Sequence, residues 1–461
     1  MMRKHPRCIG GFLWVLADEG VKRVDMDGFI DNQGNFGADG IVGPHHEKEG
    51  SYYTIKQLWS PVQIMNTSID RQFDGKFSVE NRYDYLNLNT CQFVWKQVKF
   101  PKVTDTSNAT TQILKEGKVQ GSDVAAHATG ILDLKTSILS DADALFLTAI
   151  DQYGHELWRW TFPIDKLNQP IEQYSPLSNR STYTETEKEL TVKANNRTFV
   201  FSKVDGQLKG VSIDNRKISF ANGPRFIAAR RADRSLDQFY NHDDEKAKEK
   251  DRTYSEFPDA AVFTNLDVKE DRGNLIVTAH YKLGNLDKAQ WTINPSGVVT
   301  LDYTYNFSGV VDLMGIRFDY PEDQVLSKRW LGAGPYRVWQ NRIHGTQYDI
   351  WENDYNDPIP GETFTYPEFK GYFGNVSWMN IRTKEGLISL TNETPNSYIG
   401  IYQPRDGRDR LLYTLPESGI SVLNVIPPVR NKVNSTDLCG PSSQPKWVDG
   451  SKTGRIVFRF E

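Results

Sequence analysis

The sequence has few cysteines, no long apolar run and no excess of basic residues, and each lack excludes a class of protein. The three cysteines, Cys8, Cys91 and Cys439, lie far apart and match no metal-ligand spacing, so they indicate neither a disulfide framework nor a zinc site. No stretch approaches the ~20 apolar residues that a membrane-spanning helix needs. The net charge of −4 is spread along the chain, which argues against nucleic-acid binding because no basic stripe faces a phosphate backbone.

The composition is that of a folded protein with several cores. A length of 461 residues suggests about three domains at roughly 150 residues each. Aromatic residues make up 12% of the chain and allow two interpretations. One interpretation is that they fill the cores of strand-rich domains. The other is that a few exposed rings stack on sugars. Composition does not choose between the two.

The first 64 residues are predicted to form a strand, a long loop and a helix. The apolar run Cys8–Leu16 is typical of a strand that is buried on both faces of a parallel sheet. The basic residues Met1–Arg7 before it imitate a signal peptide, but no cleavage site follows cleanly, and the buried strand is the favoured interpretation. The helix is predicted to begin at Ser51, a capping residue, and to end at Pro61.

From residue 65 the pattern changes to short strands. Turn residues recur roughly every ten positions up to about residue 165, with strands such as Ala144–Ile150, which favours an antiparallel sandwich. The polar residues 166–181 are interpreted as a linker. Strand patterns such as Thr198–Ser202 continue through residues 182–461 with almost no helical period, which indicates one large sandwich. The predicted fold class is therefore mainly β.

Four segments in a fixed order carry a family resemblance. The first are Gly10–Glu19, which reads GGFLWVLADE, and Asn35–Val42, which reads NFGADGIV. Far downstream come Ala221–Phe226, which contains Gly-Pro-Arg-Phe, and Trp330–Tyr336, which reads WLGAGPY. The set resembles the β-galactosidases of glycoside hydrolase family 2, in which the first two segments form the eighth strand of the catalytic barrel and the loop after it. The last two resemble segments of the family's large C-terminal sandwich.

The resemblance implies a layout for the whole chain. The last strand and helix of a (β/α)8 barrel would occupy residues 1–64, and an immunoglobulin-like sandwich residues 65–165. After the linker at 166–181, a large galactose-mutarotase-like sandwich would occupy residues 182–461. These implied boundaries agree with those drawn from the strand pattern alone.

The resemblance also implies that the catalytic residues lie upstream. Retaining glycoside hydrolysis needs two carboxyl groups about 5–5.5 Å apart. The family carries them on the fourth and seventh barrel strands, whereas this chain begins at the eighth. Asp18 and Glu19 do not replace them, because adjacent residues on a strand point to opposite faces. We therefore expect the C-terminal portion of a β-galactosidase-like retaining hydrolase that is inactive alone.

Some residues of the family's sugar pocket have counterparts here. Trp14 aligns with a barrel tryptophan that forms an apolar wall against the sugar, and core packing is its alternative role. Phe36 and Asp39 align with a Phe and an Asn that help to hold a sodium ion in relatives. Because Asp adds a charge here, loop capping is the alternative to metal binding, and Na⁺, Mg²⁺ and Ca²⁺ are the candidate ions. Asp39 and His45 are also candidates for substrate binding, and loop hydrogen bonding is the alternative for both.

The expected ligand is a β-galactoside or a related glycan, with no nucleic acid or membrane partner. An N-terminal chain that completes the barrel, or a homo-oligomer, is an expected protein partner. An isolated barrel strand would leave backbone groups unpaired, so we expect residues 1–64 to pack irregularly against the first sandwich or to be poorly ordered. Full-length relatives are expected in the periplasm or outside the cell, but this chain carries no signal peptide of its own.

Two other functions stay open. A non-catalytic carbohydrate-binding or structural β-sandwich protein would need an exposed aromatic platform. Trp339, Trp351 and Trp378 are the candidates, although core packing is the favoured role for each. An epimerase acting through the large sandwich would need a His/Glu pair in one cleft. His344 and Glu352 are the best candidates for such a pair in the sequence.

Overall fold

The computed structural model describes most of the chain, namely residues 7–8, 10–31, 37, 40–105, 108–164, 180–231, 254–354, 370–403, 415–428 and 440–461. Strands dominate these residues, and the predicted mainly β fold is confirmed. Nowhere in the described residues is a helix both long enough and apolar enough to cross a membrane.

The region before residue 62 holds a small hairpin and a helix. Its elements are β1 (Val21–Arg23), β2 (Phe29–Asp31) and α1 (Gly50–Trp59). The helix confirms the prediction for this segment. The strand predicted within Cys8–Leu16 is wrong: residues 10–16 are irregular, and Phe12 and Trp14 are 105% and 80% exposed. A parallel strand needs neighbours to pair its backbone, and the described part of this region offers a single parallel bridge, between Ala17 and Val42.

The next part of the chain is a sandwich of two antiparallel sheets. Its strands are β3 (Val62–Ile64), β4 (Lys76–Asn81), β5 (Gln92–Lys99), β6 (Gln112–Gln120), β7 (Thr129–Asp133), β8 (Ala144–Ile150) and β9 (Glu156–Pro163). One sheet has the order β3-β4-β7 and the other β6-β5-β8-β9. Alternate residues of β4 point inwards, so Phe77 and Val79 join Phe93 and Leu147 in the core between the sheets.

The remaining strands form the large sandwich. In chain order they are β10 (Thr182–Glu185), β11 (Glu189–Ala194), β12 (Arg197–Ser202), β13 (Leu208–Ile213), β14 (Arg216–Ile218), β15 (Ala221–Arg231), β16 (Tyr254–Glu256), β17 (Val262–Asp271), β18 (Asn274–Lys282), β19 (Leu286–Ile293), β20 (Val299–Val311), β21 (Leu313–Asp319), β22 (Val325–Gly334), β23 (Gln347–Asp354), β24 (Phe373–Gly374), β25 (Trp378–Thr383), β26 (Gly386–Asn392), β27 (Tyr398–Gly400), β28 (Ile420–Val425) and β29 (Lys446–Phe460). Short 3-10 helices lie at Val24–Met26, Leu88–Thr90, Glu322–Gln324 and Pro441–Ser443.

These strands form two facing sheets over a continuous core. One sheet has the order β10-β11-β12-β13-β15-β21-β28-β27-β24, with β14 on β13 and β16 on β15. The other has the order β17-β18-β19-β20-β29-β26-β25-β22-β23. The last strand, β29, therefore lies inside its sheet and pairs with β20 from Val299↔Phe458 to Val311↔Lys446. The buried side chains of both sheets, Trp291, Phe318 and Trp330 among them, form one cluster.

The two sandwiches are joined through an apolar contact and a polar one. Phe100 and Phe146 of the first sandwich share a buried cluster with Leu331 and Trp378 of the second. Beside it, the Asp349 carboxylate accepts hydrogen bonds from Arg159 Nη2 at 3.0 Å and from Thr111 Oγ1 at 2.9 Å. The acid and the arginine are 16% and 23% exposed, so this ion pair is largely removed from water.

Candidate functional site

The segment that resembles the end of a barrel strand is held to the loop that follows it. The Asp18 backbone N–H donates to the Val42 carbonyl at 3.0 Å, and the buried Asp18 carboxylate accepts the Gly40 N–H at 2.8 Å. The neighbouring Glu19 side chain is exposed. The Asp18 carboxylate therefore has a structural role in closing the loop, and the two acids do not face one cleft.

The predicted sugar-pocket residues lie at the surface where they are described. Trp14 is exposed, and so is His45, whose backbone N–H donates to Glu47 Oε2 at 2.9 Å. Phe36 and Asp39, the predicted metal ligands, lie outside the described residues. Among the residues that are described, no group of three or more His, Cys, Asp or Glu side chains is arranged to hold a metal ion. The structure does not bring Trp14 and His45 together in a closed pocket, and their roles stay predictions.

Helix α1 attaches this segment to the large sandwich. Thr54 Oγ1 donates to the His344 carbonyl at 2.8 Å, and the Gly345 N–H donates to Gln57 Oε1 at 2.6 Å. The rings of Tyr53 and Tyr336 lie 5.3 Å apart. We call these six residues the helix contact. A further bond joins the Tyr336 hydroxyl to the Lys48 carbonyl at 3.2 Å. The segment thus contacts the large sandwich. It also contacts the first sandwich, as predicted, because Lys56 Nζ of the helix lies 2.9 Å from Glu156 Oε1 of β9.

The Trp330–Tyr336 segment owes its glycines to close packing around the helix contact. A Cβ added to Gly334 would lie 2.4 Å from Cδ1 of Trp351, so only glycine lets that indole approach β22. The Trp351 Nε1–H donates to the Gly332 carbonyl at 3.2 Å and to the Gln347 carbonyl at 3.0 Å. The glycines of the motif therefore allow Trp351 to pack directly on β22.

The residues proposed for the two other functions take part in the packing and the polar contacts of the fold. Trp339 and Trp378 are fully buried, and Trp351 packs against the large core, so none of these three forms an exposed platform for a sugar. Glu352 lies beside Arg329, with Glu352 Oε2 and Arg329 Nε 3.7 Å apart. The His344 backbone carbonyl accepts a hydrogen bond from Thr54 of helix α1. The described contacts do not join His344 and Glu352 in one cleft.

A hollow that sequence reasoning missed opens on the large sandwich. Its volume is ≈ 340 Å³, and it lies where β15 and β21 meet the segment that follows β16. Arg225 and Arg317 face each other in the β15–β21 register and both line the hollow. Asp259 fixes one wall, because its carboxylate accepts the N–H groups of Ala261 at 3.1 Å and of Phe226 at 3.4 Å.

The charges of the hollow are partly compensated within it. Arg225 donates to the Asp319 carboxylate, and Arg317 donates to the Glu417 carbonyl. Burial, together with the nearby charge of Arg225, lowers the pKa of Arg317. The Nε atoms of both arginines are buried, and among the described residues neither has a hydrogen-bond partner. Arg225 lies within the Gly-Pro-Arg-Phe segment, but the resemblance assigned it no role, and no sequence signal linked it to Arg317, which lies on another strand.

The fold and its surfaces define a mainly β protein of two stacked sandwiches, with an irregular segment and a helix attached to the larger one. The chain belongs to the β-galactosidase small chain family, whose model matches residues 193–424, just over half of its 461 residues. The matched region runs from β11 to β28 and so covers most of the large sandwich, including the hollow.

Two relatives named β-galactosidases match a longer stretch of the chain than the family model does. A β-galactosidase of Priestia megaterium is 21% identical over 422 residues, which cover 85% of this chain and 38% of that protein. A β-galactosidase of Oenococcus oeni is 22% identical over 410 residues, which cover 81% of this chain and 38% of that protein. The chain therefore spans well under half the length of these relatives. Among solved structures, YidC from Thermotoga maritima is similar at a TM-score of 0.23 and 13% identity, over 61% of this chain and 51% of that one, which is too weak to assign a fold.

Proposed function

We propose that this chain is the C-terminal portion of a β-galactosidase-like retaining glycoside hydrolase of family 2, acting on β-galactosides or related glycans. The catalytic glutamates would come from barrel strands on a separate N-terminal portion, and the chain alone would not cleave the substrate. The observation that carries this proposal is the match of 85% of the chain to only 38% of a β-galactosidase. The immunoglobulin-like and mutarotase-like assignments of the two sandwiches belong to the same proposal.

The exposed apolar segment supports a protein partner. Phe12, Leu13, Trp14 and Leu16 are all exposed, within a single irregular stretch. Contiguous apolar surface of this kind on a folded protein marks an interaction site, because leaving it in water is unfavourable. A barrel that lacks its last strand would offer backbone groups to pair with this segment and apolar side chains to cover it.

In the assembled enzyme the surviving pocket residues would take the roles that the resemblance gives them. Trp14 would form an apolar wall against the galactoside, and Asp39 and His45 would bind its hydroxyl groups. Phe36 and Asp39 would lie beside a bound Na⁺, with Mg²⁺ or Ca²⁺ as alternatives. The Asp18 carboxylate is hydrogen-bonded to Gly40, which supports a structural role for it.

The test is a complementation assay with a nitrophenyl β-galactoside. The reading frame that precedes the codon for Met1 is expressed as a separate N-terminal portion, and hydrolysis is measured for each portion alone and for the mixture. We expect activity only from the mixture. Hydrolysis by the purified 461-residue chain alone would contradict the proposal, and so would an inactive mixture that forms a stable complex.

A matched pair of tryptophan variants tests whether the exposed apolar segment binds the N-terminal portion. Trp14→Ala should weaken assembly of the two portions by about 10- to 100-fold, because exposed tryptophans that become buried contribute strongly to interfaces. Trp447→Ala is the control, since Trp447 is 68% exposed on β29, outside the segment. Equal loss of assembly in both variants would place the contact elsewhere.

A further inference from the structure

The hollow between Arg225 and Arg317 has the chemistry of a small polar ligand site. Its volume of ≈ 340 Å³ is at the small end of the roughly 300–1,000 Å³ that ligand pockets occupy. It combines a few charged groups with apolar walls, the usual composition of such pockets. A ligand of one or two rings fits this size better than an extended polymer.

The balance of charges favours a neutral ligand that both donates and accepts hydrogen bonds. Carboxylates of Asp205, Glu256 and Asp259 line the hollow with the two arginines. An inorganic anion would meet these three acids, and Arg225 already has an acidic partner in Asp319. Hydroxyl groups can donate to a carboxylate and accept from a guanidinium at the same time. A sugar offers several such groups on one ring.

Aromatic side chains supply an apolar wall. Phe226, Phe257 and Phe263 line the hollow, and Phe257 is 36% exposed. Phe226 and Phe257 are both fixed by Phe307, whose ring lies 5.7 Å and 5.3 Å from theirs. Flat apolar rings held in this way can stack on the C–H face of a sugar ring, while the polar groups bind its hydroxyls.

The Asp319 carboxylate and the Glu417 carbonyl compensate the two arginines only in part. The two arginines are direct partners across β15 and β21, and like charges opposite one another destabilise a sheet. Each also has a buried Nε for which the described part of the chain supplies no hydrogen-bond partner. Departures from good local chemistry of this kind are concentrated at functional sites.

We propose that the hollow is a binding site for a single neutral sugar residue. This site is separate from the exposed apolar segment that contains Trp14. Arg317 and Glu256 bind the hydroxyl groups, and Phe257 stacks on the ring. This inference does not depend on the proposed hydrolase function, because every residue that it uses lies in the large sandwich.

Binding is measured on the 461-residue chain by titration calorimetry and saturation-transfer NMR. The probes are galactose, glucose and methyl β-galactoside, with inorganic phosphate as the anionic comparison. We expect saturable binding of at least one neutral sugar and none of phosphate at the same concentrations. Glu256→Gln, which keeps the shape of the side chain, and Arg317→Gln should each weaken sugar binding about tenfold or more, equivalent to the loss of a hydrogen bond to a charged group.

Two surface variants serve as controls. Glu270→Gln and Arg382→Gln alter exposed residues of β17 and β25 that do not line the hollow, and sugar binding should stay unchanged. Circular dichroism shows whether each variant folds; if Arg317→Gln does not, the exposed Glu256 still decides the question. Failure of every neutral sugar to bind, a phosphate complex instead, or full affinity in Glu256→Gln would each overturn the proposal. No hydrolysis is measured, so its failure is distinguishable from failure of the proposed enzyme function.

Discussion

Replacing Gly345 with alanine should release helix α1 from the large sandwich. Gly345 has a φ of +90°, and a Cβ at this position would lie 2.4 Å from the backbone nitrogen of Thr54 and 2.7 Å from the carbonyl carbon of Tyr53. Both clashing atoms belong to the helix backbone, so a side chain cannot swing away to relieve the contact. Either the helix or the loop must move, and the helix contact then opens.

The size of the effect follows from the bonds that are lost. The helix contact has two hydrogen bonds, each worth about 0.5–1.5 kcal/mol, and an aromatic pair worth a similar amount. An isolated helix as short as Gly50–Trp59 is marginal in water, so its order depends on this contact. Losing most of it should lower the free energy of local opening by about 2–4 kcal/mol, or roughly 30- to 700-fold in amide exchange rate.

The assay is hydrogen–deuterium exchange of peptides covering Gly50–Trp59, with Gly154→Ala as the matched control. Gly154 has a similar φ of +88°, but nothing lies within 4 Å of its added Cβ. The control therefore carries the backbone strain without the clash. Faster exchange of the helix in Gly345→Ala alone supports the reasoning, and equal exchange in both variants would refute it.

Two more predictions concern buried charges. Asp349→Ala should lower the free energy of unfolding by about 2–4 kcal/mol in urea titrations, because it leaves a largely buried arginine without its carboxylate. Asp302→Ala, which removes a more exposed ion pair, should lower it by at most ~1 kcal/mol, and equal losses would contradict this. Burial lowers the pKa of Lys328 from 10.5 to about 6, so between these pH values the unfolded chain binds more protons and the stability of the native protein rises with pH. The stability gained by Lys328→Met should therefore shrink from pH 6 to pH 9, whereas the exposed control Lys282→Met should show no such slope.

Local sequence patterns predicted the strands well, because each strand of a sandwich repeats the same inward and outward alternation. The segments Ala144–Ile150 and Thr198–Ser202 are strands as predicted, and the helix near Ser51 is present. The apolar run Cys8–Leu16 gave the wrong answer for its described residues. An apolar run indicates burial only if the chain also supplies the surface that buries it, and the run itself carries no information about that surface.

The surfaces were harder to predict than the strands, because they depend on residues far apart in the chain. Arg225 meets Arg317 through the register of β15 and β21, and no pattern within either segment indicates that the two residues are neighbours. Trp339 and Trp378 are a second case, since core packing was the favoured role for both and a sugar platform the alternative. A tryptophan looks the same in sequence whether it fills a core or a sugar site, and the structure shows both fully buried.

The exposed apolar segment and the hollow differ in how favourable their hydration is. Because of this difference, the two proposed binding surfaces are independent of each other. Exposed apolar side chains such as Phe12 and Trp14 are unfavourable in water at roughly 25 cal/mol per Å², so covering that surface would stabilise it. The hollow between Arg225 and Arg317 is polar, so water solvates it and no partner chain is needed to keep it open. The proposed sugar would exchange with water in the hollow, whereas the proposed partner of the exposed segment is a protein. Pairing with an N-terminal portion and sugar binding by the isolated chain are therefore separate properties, and either can hold without the other.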